Sequence, residues 1–161
     1  MKTIKTTLVI LAITIFSISC SKDDSPAPNP IVGNWKLTTA IIVNGAQDLD
    51  RDGTAHSNVF LEDINGCTEN QIVTFNQDGT MSGSIKDFDI TDSNGDQTCF
   101  EYNHTNWVKN ADGTYKLIGN FQIDIEIINS NQFEFDGTVS TYDDNGEQLS
   151  FEQLKFTFTK Q

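Results

Sequence analysis

Positive charge is scarce in this 161-residue chain: 10 lysines and arginines face 23 aspartates and glutamates, and Arg51 is the single arginine. No basic stripe and no interleaving of aromatic with basic residues occurs, so nucleic-acid binding is not expected. Proline is confined to Pro26, Pro28 and Pro30. Helical periodicity never lasts beyond a turn or two in the chain that follows, which argues against a helical bundle. Histidine is limited to His56 and His104, and no CxxC or HxxxH spacing supplies a zinc set. No G-x-S-x-G is present, and pairs of carboxylates arise by chance in so acidic a sequence. An enzyme is therefore not expected. Long apolar runs are missing as well: the uncharged stretch from Thr6 to Ser21 covers 16 residues, short of the ~20 a membrane-spanning helix needs.

That stretch has the parts of an export signal. Lys2 and Lys5 precede it, the run to Ile18 is mostly apolar, and Ser19 is a small residue before Cys20. The arrangement resembles the lipobox of bacterial lipoproteins, with Ile18 and Ser19 fitting and Ser17 standing where leucine is usual. The resemblance implies cleavage before Cys20 and a diacylglyceryl group on its sulfur; a plain secretory signal with an unmodified thiol is the alternative. The chain then divides into a signal peptide (1–19), an acidic, proline-rich tether (20–30) and a domain (31–161). Cleavage would leave 142 residues, enough for one core, carrying 8 − 23 = −15 charges. Ser21-Lys22-Asp23-Asp24 resembles the short acidic export signals of Gram-negative lipoproteins flipped to the outer face of the outer membrane. The expected location is thus an exported protein, lipid-anchored to the outer membrane and facing the periplasm or the cell surface.

With Cys20 lipidated, Cys67 and Cys99 are left in an oxidising compartment. A disulfide between them would stabilise the fold by roughly 3–4 kcal/mol on the chain-entropy view. Free thiols, or half of a metal site, are the alternatives.

Alternation with period two runs through Trp35, Leu37, Thr39, Ile41 and Val43, and Asn44-Gly45 ends it. Further β-rich runs lie at 72–75, 80–86 (extended by Phe88 and Ile90), 105–109 and 114–118, with Asp-Gly turns between several of them. In Gln122–Ile127 the isoleucines point inward, and Phe133, Phe135, Gly137 and Val139 follow suit. In the last run the apolar set shifts by one residue between Phe151 and Leu154, which predicts a β-bulge near Glu152-Gln153. The expected fold is all-β: about eight antiparallel strands in an up-and-down barrel, with a two-sheet sandwich as the rival.

Gly33-Asn34-Trp35 near the first strand resembles the Gly-x-Trp opening of lipocalins. The succession Cys67, Ile72-Val73-Thr74-Phe75-Asn76-Gln77-Asp78-Gly79-Thr80, Cys99 and Trp107 is similar to the lipocalin-like domain of bacterial lipoproteins. Lipocalins usually bring an arginine over that tryptophan; here Lys155 or Lys160 is left for the role. The resemblance implies an interior that binds a small hydrophobic ligand. Its candidate lining is Leu37, Phe75, Trp107, Tyr115, Leu117, Ile123, Ile125, Phe133, Phe135, Phe156 and Phe158, a list that equally describes a packed core. Trp35 itself is expected to plug the core. The alternative function is a filled barrel that contacts a protein or glycan through its acidic loops.

Asp48-Leu49-Asp50-Arg51-Asp52-Gly53 alternates three carboxylates along a turn, as the start of a calcium loop does. Position twelve of an EF-hand would fall on Val59, so Glu62 or Asp63 would have to reach back, and the Thr54 carbonyl could add an oxygen. Every candidate ligand is hard oxygen, so the expected ion is Ca2+; a solvated acidic loop is the other reading. Asp92, Asn94 and Asp96 make a weaker second version.

Overall fold

The computed structural model describes residues 29–161. The expected signal peptide (1–19), lipidated Cys20 and the tether up to residue 28 lie outside them. Nine strands follow in order: β1 (Gly33–Ile42), β2 (Ile72–Phe75), β3 (Met81–Ser82), β4 (Ser84–Ile90), β5 (Gln97–Lys109), β6 (Tyr115–Gly119), β7 (Ile123–Asn129), β8 (Gln132–Tyr142) and β9 (Gln148–Lys160). Helical structure among the described residues is one 3-10 turn, Val59–Leu61, which Asn58 caps by accepting the Phe60 N–H.

Sequence neighbours pair antiparallel except β3 and β4, which Gly83 separates, and β9 returns to β1. One closure was not expected. β4 meets β8 in parallel through Ile90 and Thr141, so the ring that closes by direct pairing is β4-β5-β6-β7-β8. The closed barrel therefore has five strands, not about eight. β9, β1, β2 and β3 continue from β8 as one sheet, whose far end turns back onto β5: Thr80 bridges Asn106, and the Trp107 N–H donates to the Gly79 carbonyl at 2.8 Å.

The predicted strand 80–86 is broken at Gly83, and the cause is steric. Its φ is +88°, and a Cβ there would come 2.2 Å from the Ile72 carbonyl oxygen, so only glycine lets β2 approach this closely. Beyond the break the Gln71 side chain takes over from the strand ladder: Nε2 donates to the Lys86 carbonyl and Oε1 accepts the Lys86 N–H.

The bulge expected at Glu152-Gln153 is absent. β8 and β9 stay in register from Gln132↔Thr159 to Thr141↔Ser150, which keeps Leu149 and Phe151 on the outer face, both well exposed. The register shifts instead in β1 between Leu37 and Thr39, and in β5 between His104 and Asn106.

One end of the interior is solid. Phe133 stacks on Phe158 and Phe135 on Phe156, each pair at 4.9 Å between centroids, while Phe75 and Trp35 meet Phe133 edge-on. Trp35 is fully buried, its indole N–H donates to the Ile31 carbonyl at 2.7 Å, and the Lys160 ammonium sits over its ring at 5.1 Å. Of the two candidate lysines, Lys160 and not Lys155 covers that ring. The Cys67–Cys99 disulfide forms, with Cα atoms 5.4 Å apart, and ties the loop after the 3-10 turn to β5.

Candidate functional site

Of the eleven predicted lining residues, ten are buried and Ile123 is half-buried. Most pack on one another. Phe75, Trp107, Tyr115, Phe133, Phe156 and Phe158 form the aromatic stack and its continuation. Leu117 is enclosed, and Leu37 borders a shallow outer groove with Lys36 and Phe60. Two of the set, Ile123 and Phe135, line a chamber.

The chamber exists because β8 loses its partner on one side. β7 pairs with β8 from Glu126↔Glu134 to Asn129↔Gln132, and β4 joins only at Thr141. Between Glu134 and Ser140 that edge of β8 meets no strand, which leaves a window in the barrel wall. Asp89 closes its upper corner, with Oδ1 accepting the Ser140 N–H at 2.8 Å. Behind the window lies a chamber of about 190 Å³ lined by Ile85, Asp87, Tyr102, Phe121, Ile123, Phe135, Asp136, Gly137 and Thr138. Outside it, an open groove carries Lys116, Asp124, Glu126, Glu134, Asp136 and Lys155. Phe121 stands on the β6–β7 turn as a flap, its ring edge-on to Tyr102 at 5.4 Å. His104 holds that turn: its Nε2–H donates to the Phe121 carbonyl at 3.1 Å, and burial keeps the imidazole pKa below its usual value.

Asp87 is the polar group inside, and it is only 5% exposed. Burial pushes its carboxyl up to about 8, with Asp89 and Asp63 adding to the shift and the Phe88 N–H on Oδ1 (2.9 Å) opposing it. Burial also raises Asp89, and raises the Tyr102 hydroxyl with help from both aspartates. The ion pairs among the described residues join Lys116 to Asp124 and Lys155 to Asp136 and Glu134; none reaches Asp87. At neutral pH the chamber therefore offers an apolar and aromatic wall with one buried neutral carboxylic acid, and at its mouth Thr138 and the Lys155-paired Asp136.

Sequence reasoning passed over Asp87, Tyr102 and Phe121, and turned Gly137 inward without placing it in the lining. A signal for Asp87 was available, because it shares parity with Ile85 and so points a carboxyl inward along a strand. Phe88 and Ile90, on the opposite parity, are buried too. Gly137 has no side chain to show, yet a Cβ there would come 2.5 Å from the Phe156 ring and 3.6 Å from Asp87 Oδ2.

The acidic loop folds around Glu62, which is fully buried. Its Oε2 accepts the Leu49 and Asp50 N–H groups at 2.7 and 3.3 Å, and Oε1 accepts the His56 N–H at 2.8 Å. Asp48, Asp50 and Glu62 bring carboxylate oxygens within 4.8 Å of one another. Asp52 stands outside that group and accepts the Thr54 N–H, while Asp63 turns to the backbone of Cys67 and Thr68. Two more acidic turns meet this loop at the same end of the barrel. The Ser93 N–H donates to Asp144, and the Gly95 Cα packs on the Asp50 backbone.

No protein-family profile matches the chain, and no curated protein does. Solved structures similar to it include bovine odorant binding protein in complex with a selenium-containing odorant, at 15% identity over 83% of this chain and 74% of that one, with a TM-score of 0.35. The same bovine protein with undecanal gives 15%, 83%, 72% and 0.34. An odorant binding protein, OBP1, gives 10%, 84%, 74% and 0.35. Likeness of this degree carries no argument about ligand or descent, and the all-β barrel rests on its own strand pairing.

Proposed function

We propose that this is a lipid-anchored binding protein of the cell envelope whose lipocalin-like barrel takes a small, largely apolar ligand through the window beside β8. The observation that carries the reading is the chamber itself: apolar and aromatic walls, one convergent polar group and an unpaired strand edge form a small-molecule site. The envelope location and the lipid on Cys20 rest on the leader pattern, and the placing at the outer membrane rests on the acidic tether. The lipocalin-like reading draws on Gly33-Asn34-Trp35 and on Lys160 over the indole. Binding rather than catalysis is proposed because no nucleophile–base pair lines the chamber among the described residues. Its size suits a ligand with a single ring. Thr138→Trp should fill the window from the rim and weaken binding of 2-phenylethanol by about tenfold or more in calorimetry, with the fold retained. Equal affinity in parent and variant would move the site elsewhere.

A second reading, a filled scaffold with a calcium-stabilised acidic loop, is favoured by the convergence of Asp48, Asp50 and Glu62. Calcium should then raise the midpoint of thermal unfolding by a few degrees over a chelator control, and Asp50→Ala should erase the difference. Superimposable melts with and without calcium would remove this reading.

A further inference from the structure

The chamber's acid lacks a counter-ion. Asp87 Oδ1 is engaged by the Phe88 N–H, while Oδ2 has no hydrogen-bond partner among the described residues. Gly137 stands beside that oxygen: a Cβ there would overlap the Phe156 ring and lie in ordinary contact with Asp87 Oδ2, so glycine leaves that side of the carboxyl uncovered. Lys155, in the groove outside the window, is held by Asp136 at 2.9 Å and Glu134 at 3.8 Å. We propose that the window binds a small cationic amphiphile, an amine with an aromatic or short apolar body, whose ammonium pairs with Asp87. The proposal rests on the small-ligand reading above and narrows it to one chemical class.

Three features favour an amine over a fatty acid or a neutral odorant-like molecule. A buried carboxyl is costly as an anion unless a charge sits beside it, and here the protein supplies none. The groove outside carries Asp112, Asp124, Glu126, Glu134 and Asp136 against Lys116 and Lys155, a net negative field that concentrates cations and repels carboxylates. Finally, Tyr102 and Phe121 both line the chamber, their rings 5.4 Å apart, and aromatic neighbours suit an ammonium ion. The charged and titratable groups that bear on Asp87 are Asp89 on its own strand, Asp63 from the loop, Tyr102 on β5 and Asp136 on β8. All are acidic or phenolic. A bound ammonium would reverse their effect on the carboxyl, so amine binding at neutral pH should expel a proton from Asp87.

The test compares phenethylamine, 2-phenylethanol and phenylacetate, which share a body and differ in head group, by calorimetry on the full chain. The amine should bind about tenfold or more tighter than the alcohol, and phenylacetate should be the weakest. The amine's heat should also change between two buffers of different ionisation enthalpy, reporting proton release, whereas the alcohol's should not. In Asp87→Asn, with folding checked by near-ultraviolet dichroism, the ratio of amine to alcohol affinity should fall to near one. An alcohol that matches the amine, or amine binding without proton release, overturns the proposal and leaves the small-ligand site standing. An amine preference that survives in Asp87→Asn overturns it in favour of the acidic exterior. Failure of all three probes to bind removes the site and the inference together.

Discussion

In alkaline solution Asp87→Asn will be the more stable protein, and its advantage will fade as the pH falls. The carboxyl sits at about 8 in the folded chain against 3.8 for an unburied aspartate. Between those values the folded state holds a proton that the unfolded state has lost, so unfolding free energy falls as pH rises through this window and levels off above about 8. Each pH unit is worth about 1.4 kcal/mol for one group, so the whole window amounts to at most about 6 kcal/mol. Asparagine has the same shape and no such proton. Urea unfolding of the two proteins at a series of pH values from about 4 to 9 should therefore give curves that meet at the acid end and separate steadily toward the alkaline end. A constant gap would mean that Asp87 ionises freely where it lies, and the reading of the chamber as a site for a neutral acid would go with it. Asp89, also raised by burial, is present in both proteins: its burial cancels in the comparison, and its repulsion of Asp87 is part of the difference.

Glu62→Ala should be the most damaging exposed-loop change, although the residue is not itself exposed. Three backbone N–H groups, those of Leu49, Asp50 and His56, converge on one buried carboxylate. Alanine would strand the Leu49 and Asp50 N–H groups and leave the His56 N–H only the Gln47 carbonyl, at a cost of about 2 kcal/mol or more. The loop from Gln47 to His56, otherwise closed by the reciprocal bonds between those two residues, should then exchange its amide hydrogens far faster than the barrel. Glu62→Gln keeps one acceptor oxygen and should fall between the two. If the alanine variant matches the parent in urea unfolding and in exchange at Leu49 and His56, the loop does not depend on this carboxylate, and Asp48 and Asp50 are left without the neighbour that gathers them.

The strands that could be read from sequence are those with water on one side and core on the other. The isoleucines of β7 and the Phe133–Val139 face of β8 alternate cleanly, and the structure turns them inward at Ile125, Phe133, Phe135 and Val139. The first half of β5 could not be read, because Thr98 to Glu101 are exposed on both faces, so no period marks them. The five-strand closure was illegible for another reason. It depends on one parallel contact, Ile90 to Thr141, between residues 51 positions apart, and local pattern carries no trace of such a pairing. The list of lining residues failed differently: alternation says which side chains point inward, but not which of them meet another side chain. The chamber forms where β8 has no neighbour, and its distinctive members are a glycine, a turn phenylalanine and an acid placed where an apolar residue would be expected.

The barrel also has a polarity along its axis. β1 begins and β9 finishes at the same rim, where Lys160 reaches the Pro30 carbonyl, the Tyr115 hydroxyl reaches Asn29 and Gln161 bonds back to Asn34. The three aspartate-rich turns gather at the other rim. Any leash attached ahead of Asn29 must depart from the first rim. A molecule so held would carry its attachment and its anionic crown at opposite ends of the barrel, with the entrance to the chamber in the wall between them.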